Sequence, residues 1–208
     1  MERRKKRTRL QKRDGIQATL EGYRRFDYDY IPFGTYTVPD AGFKYRQGLF
    51  GRLCSGFIRG FLWLVAPVLL KVAYGCRVVG KEHLKALKGK GAMCVTNHIS
   101  YLDTLFARAA LGQFRAFYTM APWNNKKGLG GWIMRHAGMW PFSPNLTATK
   151  HLMQEMERRL KEGKIIHFYA EQAMWINYPK PRPMKDGAFY YANKYGVPCL
   201  LYTSPSPR

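Results

Sequence analysis

Residues 92–96, Ala-Met-Cys-Val-Thr, form a compact apolar run that stops at Asn97-His98. A run this short, flanked by polar and glycine-containing segments, reads as a buried strand. A helix is expected to follow through about Leu111. The switch from strand to helix period then recurs along the chain. Leu152, Met156 and Leu160 lie four apart and predict a helix from about Thr147 to Glu162, stopped by Gly163. Ile165-Ile166-His167-Phe168 is the next strand. A further helix is expected from about Asp186 to Tyr195, with Asp186 as its cap and Gly196 as its stop. Earlier, Val78-Val79 suggests a short strand, and Lys85 to Gly91 a turn. Strands that alternate with helices predict an α/β layer fold.

The N-terminal third is of a different kind. Residues 1–13 carry eight Lys or Arg, and such a run of like charges favours a solvated tail. Residues 23–47 are rich in aromatics, glycine and proline but show no steady period, which predicts an irregular segment. Together, 1–48 form a basic and aromatic extension. Residues 49–74 are the most apolar stretch. Leu49, Leu53, Phe57 and Phe61 lie on one helical face, and no charge occurs between Gly60 and Leu70. Pro67 is expected to kink or split this helix. A bilayer span needs about 20 apolar residues, and the uncharged run is shorter. A helix lying in the membrane interface, with Trp63 near headgroup level, is therefore the reading, with a span or a buried core helix as alternatives. The whole chain has 35 basic and 13 acidic residues, a net charge of +22, which favours anionic partners: lipid, nucleic acid or phosphorylated substrates. Cys54, Cys76, Cys94 and Cys199 form no CxxC pair, so neither structural zinc nor a disulfide framework is indicated.

The chemistry concentrates at Asn97-His98-Ile99-Ser100-Tyr101-Leu102-Asp103. Five residues of continuous helix turn ~500°, so His98 and Asp103 would not share a face. They meet if His98 precedes the helix and Asp103 lies in its first turn. The carboxylate would then fix the imidazole tautomer and stabilise the imidazolium. His98 could take a proton from a hydroxyl as its oxygen attacks an acyl carbonyl. Ser100-x-x-Asp103 also has the form of a capping box, which would make both residues structural.

The pattern Asn97-His98-x-Ser100-x-x-Asp103 after a β-run resembles the signature of the glycerophospholipid acyltransferases, a family that includes lysophosphatidate acyltransferases. Gly130 to Phe142 resembles its second block, and His167-Phe168-Tyr169-Ala170-Glu171-Gln172 its third. Lys185-Asp186-Gly187-Ala188-Phe189, followed by Ala192, Gly196, Val197 and Pro198, resembles its fourth. Two departures stand out. Ser143-Pro144 occupy the end of the second block, where a basic residue is usual. Ala170-Glu171-Gln172-Ala173-Met174 replaces the usual Pro-Glu-Gly-Thr-Arg. Both phosphate-holding arginines are thus missing, although Lys180, Arg182 and Lys185 stand close in sequence.

The resemblance implies an α/β core at 75–198, with a mixed sheet flanked by helices. It implies transfer of a fatty acyl group from acyl-CoA or acyl carrier protein to the hydroxyl of a lysophospholipid such as 1-acylglycerol-3-phosphate. His98 would be the base and Asp103 its orienting partner. Asn97, Ser100 and Glu171 would contact substrate, and Lys180, Arg182 and Lys185, close in sequence, are further candidates for that role. No metal or cofactor is implied, since the thioester is already activated. The expected location is the cytoplasmic face of a membrane, on an anionic surface, in a peripheral or monotopic mode. The alternative is a non-catalytic basic protein that binds membrane or nucleic acid, with His98 and Asp103 structural. No RNA-binding motif accompanies the aromatics, so nucleic acid is not the expected partner. Residues 199–208 resemble the translation of a sequencing-adapter end and are expected to be a non-native tail, although Leu200 and Leu201 are apolar enough to pair as a strand.

Overall fold

The computed structural model describes residues 36–112, 116–175 and 182–203. The basic run 1–13, the aromatics before Tyr36, Lys180 and residues 204–208 lie outside them.

Five strands form one sheet: β1 (Ala92–Thr96), β2 (Ala116–Met120), β3 (Met139–Pro141), β4 (Ile165–Tyr169) and β5 (Cys199–Tyr202). Their order is β3-β2-β4-β1-β5, and all four pairings are parallel, so the sheet is parallel where a mixed one is expected from the sequence. Parallel strands need crossovers, and helices supply them. These are α3 (Asp103–Leu111), α4 (Gly128–His136), α5 (Leu146–Lys161) and α6 (Gly187–Lys194). Two more helices, α1 (Leu49–Tyr74) and α2 (Lys81–Ala86), precede the sheet.

The period-2 alternation of β1 divides the core. Met93 and Val95 pack with Leu152, Met156 and Leu160 of α5 on one face of the sheet. Ala92 and Cys94 pack with Ala107 and Leu111 of α3 on the other. All five residues of β1 are buried, as the apolar run required of a strand covered on both sides. The α5 stripe is buried as expected, and Asn145 caps that helix by accepting from the Ala148 amide at 3.0 Å. Asp186 occupies the position before α6, but its side chain makes no capping bond.

Two local expectations fail. Val78-Val79 forms no strand; Val79 is 89% exposed, and neither sheet edge reaches it. Local β-propensity cannot make a strand without a partner ladder. Pro67 does not split α1, which runs unbroken from Leu49 to Tyr74. Gly75 ends it in the left-handed conformation (φ 61°), with Cys76 N–H bonding the Leu70 carbonyl and Gly75 N–H that of Lys71.

Helix α1 meets the domain along one narrow edge: Ser55, Arg59, Ala66 and Leu70 are its buried residues. Ser55 donates to the His136 carbonyl, and Arg59 donates to the Ala116 carbonyl at 3.0 Å while lying over the Phe117 ring. The rest of the helix faces outward, with Leu49, Phe50, Leu53, Phe57, Phe61 and Val72 all exposed. It is long and apolar enough to cross a membrane.

Candidate active site

In open parallel sheets, ligands bind beyond the carboxyl ends of the strands. His98 lies there, two residues past the end of β1. The chain turns through Asn97–Leu102 before α3 begins at Asp103, so the five-residue spacing is bridged by a loop. His98 Nδ1 lies 2.8 Å from Asp103 Oδ2. The same oxygen accepts from the backbone amides of Ile99 (2.7 Å) and Ser100 (2.8 Å). The Asp103 side chain is 1% exposed and that of His98 is 20% exposed. Three donors converging on one buried oxygen compensate for its desolvation and hold the carboxylate in place. With Nδ1 committed to Asp103, Nε2 is the nitrogen left to act as a base.

One arm of the capping box forms, Asp103 Oδ2 accepting from the Ser100 amide, and the other does not. The residue before α3 is Leu102, without a side-chain cap, and the Ser100 hydroxyl accepts from the Leu102 amide. The Asp103 carboxylate reaches back to the loop and its imidazole.

Two further groups fix His98, and neither role is visible in local sequence. The Tyr169 ring, at the end of β4, stacks on the imidazole with centroids 3.9 Å apart and planes within 15°. Its hydroxyl is 2.8 Å from Thr104 Oγ1, which tethers the stacked ring to α3. Burial raises the Tyr169 phenol above its ordinary range. Glu171, on the turn after β4, accepts from the His98 backbone amide at 3.2 Å through Oε2 and from the Arg182 amide at 2.9 Å through Oε1. The Trp175 amide in turn donates to the His98 carbonyl at 3.0 Å.

Arg182 is buried in the same knot. Its Nη2 donates to the carbonyls of Glu171 and Ala173, both at 2.7 Å, and its guanidinium lies 4.2 Å from the Trp175 ring centre. Lys185 bonds the Ala170 carbonyl through its backbone amide, and its side chain is exposed. Asn97 is half-buried beside His98. The structure thus brings Asn97, His98, Ser100, Asp103, Glu171 and Arg182 together, and leaves the Lys185 side chain at the surface.

His98 opens into a cavity of about 680 Å³. Met120, Met134, Met139, Phe142 and Phe168 give it an apolar body; Asn124, Lys126 and Gln172 bring polar groups to its wall. The wall segment 120–124 was unassigned from sequence, although Ala116-Phe117-Tyr118-Thr119-Met120 is an apolar run like that of β1. Gly131 fixes this wall from behind: a Cβ there would stand 1.7 Å from the Lys126 carbonyl oxygen, so no larger residue fits without moving it. Asn125 is buried and ties the wall to the N-terminal segment, donating to the Thr37 carbonyl and accepting from Arg135 at 2.8 Å.

Beneath the site, His167 is fully buried on β4. Its Nε2 is 3.1 Å from Thr96 Oγ1. Burial, aided by the nearby His98 and Arg108, lowers its pKa to about 3, so it is neutral at physiological pH.

The site thus joins an imidazole, a buried carboxylate bound to its Nδ1 and an adjoining, largely apolar cavity. The family model for acyltransferases matches residues 75–200, and the chain belongs to that family. Comparison with curated proteins gives no match.

Proposed function

We propose that the chain transfers a fatty acyl group from acyl-CoA or acyl carrier protein to the hydroxyl of a lysophospholipid, with His98 as general base. The observation that carries this reading is His98 Nδ1 bound to a buried Asp103 at the mouth of a largely apolar cavity. The acceptor oxygen attacks the thioester carbonyl carbon, a C–O bond forms, and the C–S bond breaks. The hydroxyl proton passes to His98 Nε2 and then to the departing thiolate. Asp103 stabilises the imidazolium formed between these events. Asn97 and Ser100 shape the loop at the reacting centre, and Glu171 positions His98 through its backbone amide.

The acceptor class follows from the cations. A lysophosphatidate carries a phosphate monoester that an arginine fork would clamp. Neither usual arginine is present, and the Arg182 guanidinium is engaged by backbone carbonyls. Lys126 is the one Lys or Arg on the cavity wall among the described residues. Turnover should therefore depend less on a phosphate monoester than in a typical lysophosphatidate acyltransferase. The exposed apolar face of α1 fits a helix lying in the interface of the cytoplasmic leaflet.

The test is acyl transfer from acyl-CoA or acyl carrier protein to lysophosphatidate and to neutral or zwitterionic lyso-lipids, using wild type and His98→Ala. The variant is expected to fold normally and to lose about 10²–10⁴-fold in rate. Near-normal turnover by folded His98→Ala would sink the mechanism, and an overwhelming preference for lysophosphatidate would sink the acceptor reading.

A further inference from the structure

A second cavity, of about 140 Å³, lies where the segment before α1 crosses the C-terminal end of α4 and strand β3. Lys44, Gln47, Arg135 and His136 supply its polar wall, and no carboxylate lines it. Neither Lys44 nor Arg135 has a carboxylate partner among the described residues. Among the described residues Arg135 binds the neutral oxygens of Asn125 and Lys126, through Nη1. Burial without an opposing acid lowers the Arg135 pKa. His136 Nδ1 donates to the Trp132 carbonyl, so Nε2 is its remaining polar atom, and it faces the first turn of α1 near Gly51. Two cationic side chains, Lys44 and Arg135, at a small cavity with no acid fit a compact anion with several acceptor oxygens.

The surroundings say where that anion comes from. The two helices that flank the cavity carry exposed apolar side chains: Leu49, Phe50 and Leu53 on α1, and Leu129 and Ile133 one turn apart on α4. A soluble phosphate has no use for such flanks, whereas a phospholipid carries a phosphate directly above acyl chains. We propose that this cavity seats the phosphate of an anionic bilayer phospholipid, whose chains lie along the outward faces of α1 and α4. The contact would fix the depth of α1 in the leaflet and the tilt of the active-site mouth. It is a docking site distinct from the His98 cavity, and it rests on the membrane reading of α1 given above.

The full chain is tested by co-sedimentation with vesicles of phosphatidylcholine alone and of phosphatidylcholine with phosphatidylglycerol. At ~1 M salt the screening length is about 3 Å, so loose attraction of a +22 chain is quenched and direct contacts survive. Wild type should keep a preference for the phosphatidylglycerol vesicles of roughly fivefold or more, the worth of about one basic contact. Lys44→Glu and Arg135→Gln should each abolish it, while Lys88→Gln/Lys90→Gln, in the turn after α2, should not. Lys44 is exposed, so its variant keeps the test open if Arg135→Gln folds poorly. Equal loss in all variants, or no preference in wild type, overturns the site but leaves membrane binding standing. Failure to bind either vesicle overturns both. Inorganic phosphate that binds the cavity at matched ionic strength without reducing the lipid preference would assign the cavity to a free anion and overturn the lipid.

Discussion

In the loop between β1 and α3, one buried carboxylate oxygen accepts three hydrogen bonds, and the seven residues from Asn97 to Asp103 are further held by Glu171, Trp175 and Tyr169. In α1, a helix of 26 residues meets the domain through four buried ones and leaves its bulkiest apolar side chains outside. The loop is complete within the described protein. The helix is not: Phe50, Phe57, Phe61 and Trp63 are all exposed along it. If His98 is the base proposed above, internal polar bonds are what hold its nitrogen in place. If α1 seats the domain on a membrane, its open apolar face is what that task needs.

The sharpest break of that contrast is at Asp103. Asp103→Asn should cost about 10²–10⁴-fold in rate, because the amide oxygen can still accept from Nδ1 and the two loop amides but carries no negative charge to stabilise the imidazolium. Circular dichroism should remain native. If the folded variant keeps wild-type kcat, the loop is a structural turn and the difference between the two regions disappears.

The helix is tested next, by charge on its outward face. Phe57→Glu/Phe61→Glu removes two exposed aromatics that touch none of the buried core. Each is worth about 1.5–3 kcal/mol when it leaves water, so vesicle binding should fall by roughly 100-fold or more. The thermal midpoint should stay within about 2 °C of wild type, since a surface change is worth no more than ~0.5 kcal/mol. A large drop in the midpoint would show that this face is packed against protein.

Between these regions lies His167, whose folded pKa is lowered from 6.5 to about 3. Above pH 6.5 it is neutral in both folded and unfolded chains and contributes no pH dependence. As pH falls below 6.5 the unfolded chain binds a proton that the folded chain refuses, so stability declines until the pH nears 3. The slope from this residue is ~1.4 kcal/mol per pH unit. Denaturant melts of wild type and His167→Gln at pH 7, 6, 5 and 4 should diverge in slope, with the variant the flatter. Parallel curves would mean that His167 protonates in the folded state.

The extent to which sequence predicts this molecule follows the same division. Strands β1 and β4 and the stripe of α5 are legible because burial on both faces forces a short apolar run, and burial on one face forces a four-residue spacing. His98 and Asp103 are legible because their pairing is local, spanning one loop. Tyr169 and Glu171 reach His98 from 71 and 73 residues away, through the β1–β4 pairing that sets Thr96 beside Tyr169. No local period records that register. Asn125 and Gly131 are hidden for the same reason, since their constraints come from Thr37, Arg135 and the Lys126 carbonyl. Val78-Val79 errs in the opposite sense, having the composition of a strand and no neighbour. The extent of α1 was readable, but its continuity through Pro67 was not, because proline removes one amide donor without forbidding the turns on either side.

The smallest expected effect separates the two things Tyr169 does. Its ring stacks on His98, and its hydroxyl bonds Thr104. Tyr169→Phe keeps the stack and removes the bond, which should cost about 1 kcal/mol of stability while kcat changes by less than roughly threefold. Tyr169→Leu removes the flat face as well. The imidazole can then rotate about its bond to Asp103, and kcat should fall by about tenfold with KM little changed, the signature of an interaction realised in the transition state. A ring that only filled space would give the reverse order: both variants would lose stability in proportion to volume, and kcat would follow neither. Thr104→Val offers a cross-check, because it deletes the same hydrogen bond from the other side. If Thr104→Val and Tyr169→Phe are each mild and no worse in combination, the hydroxyl acts only as a tether and the aromatic face is what holds His98 toward the cavity.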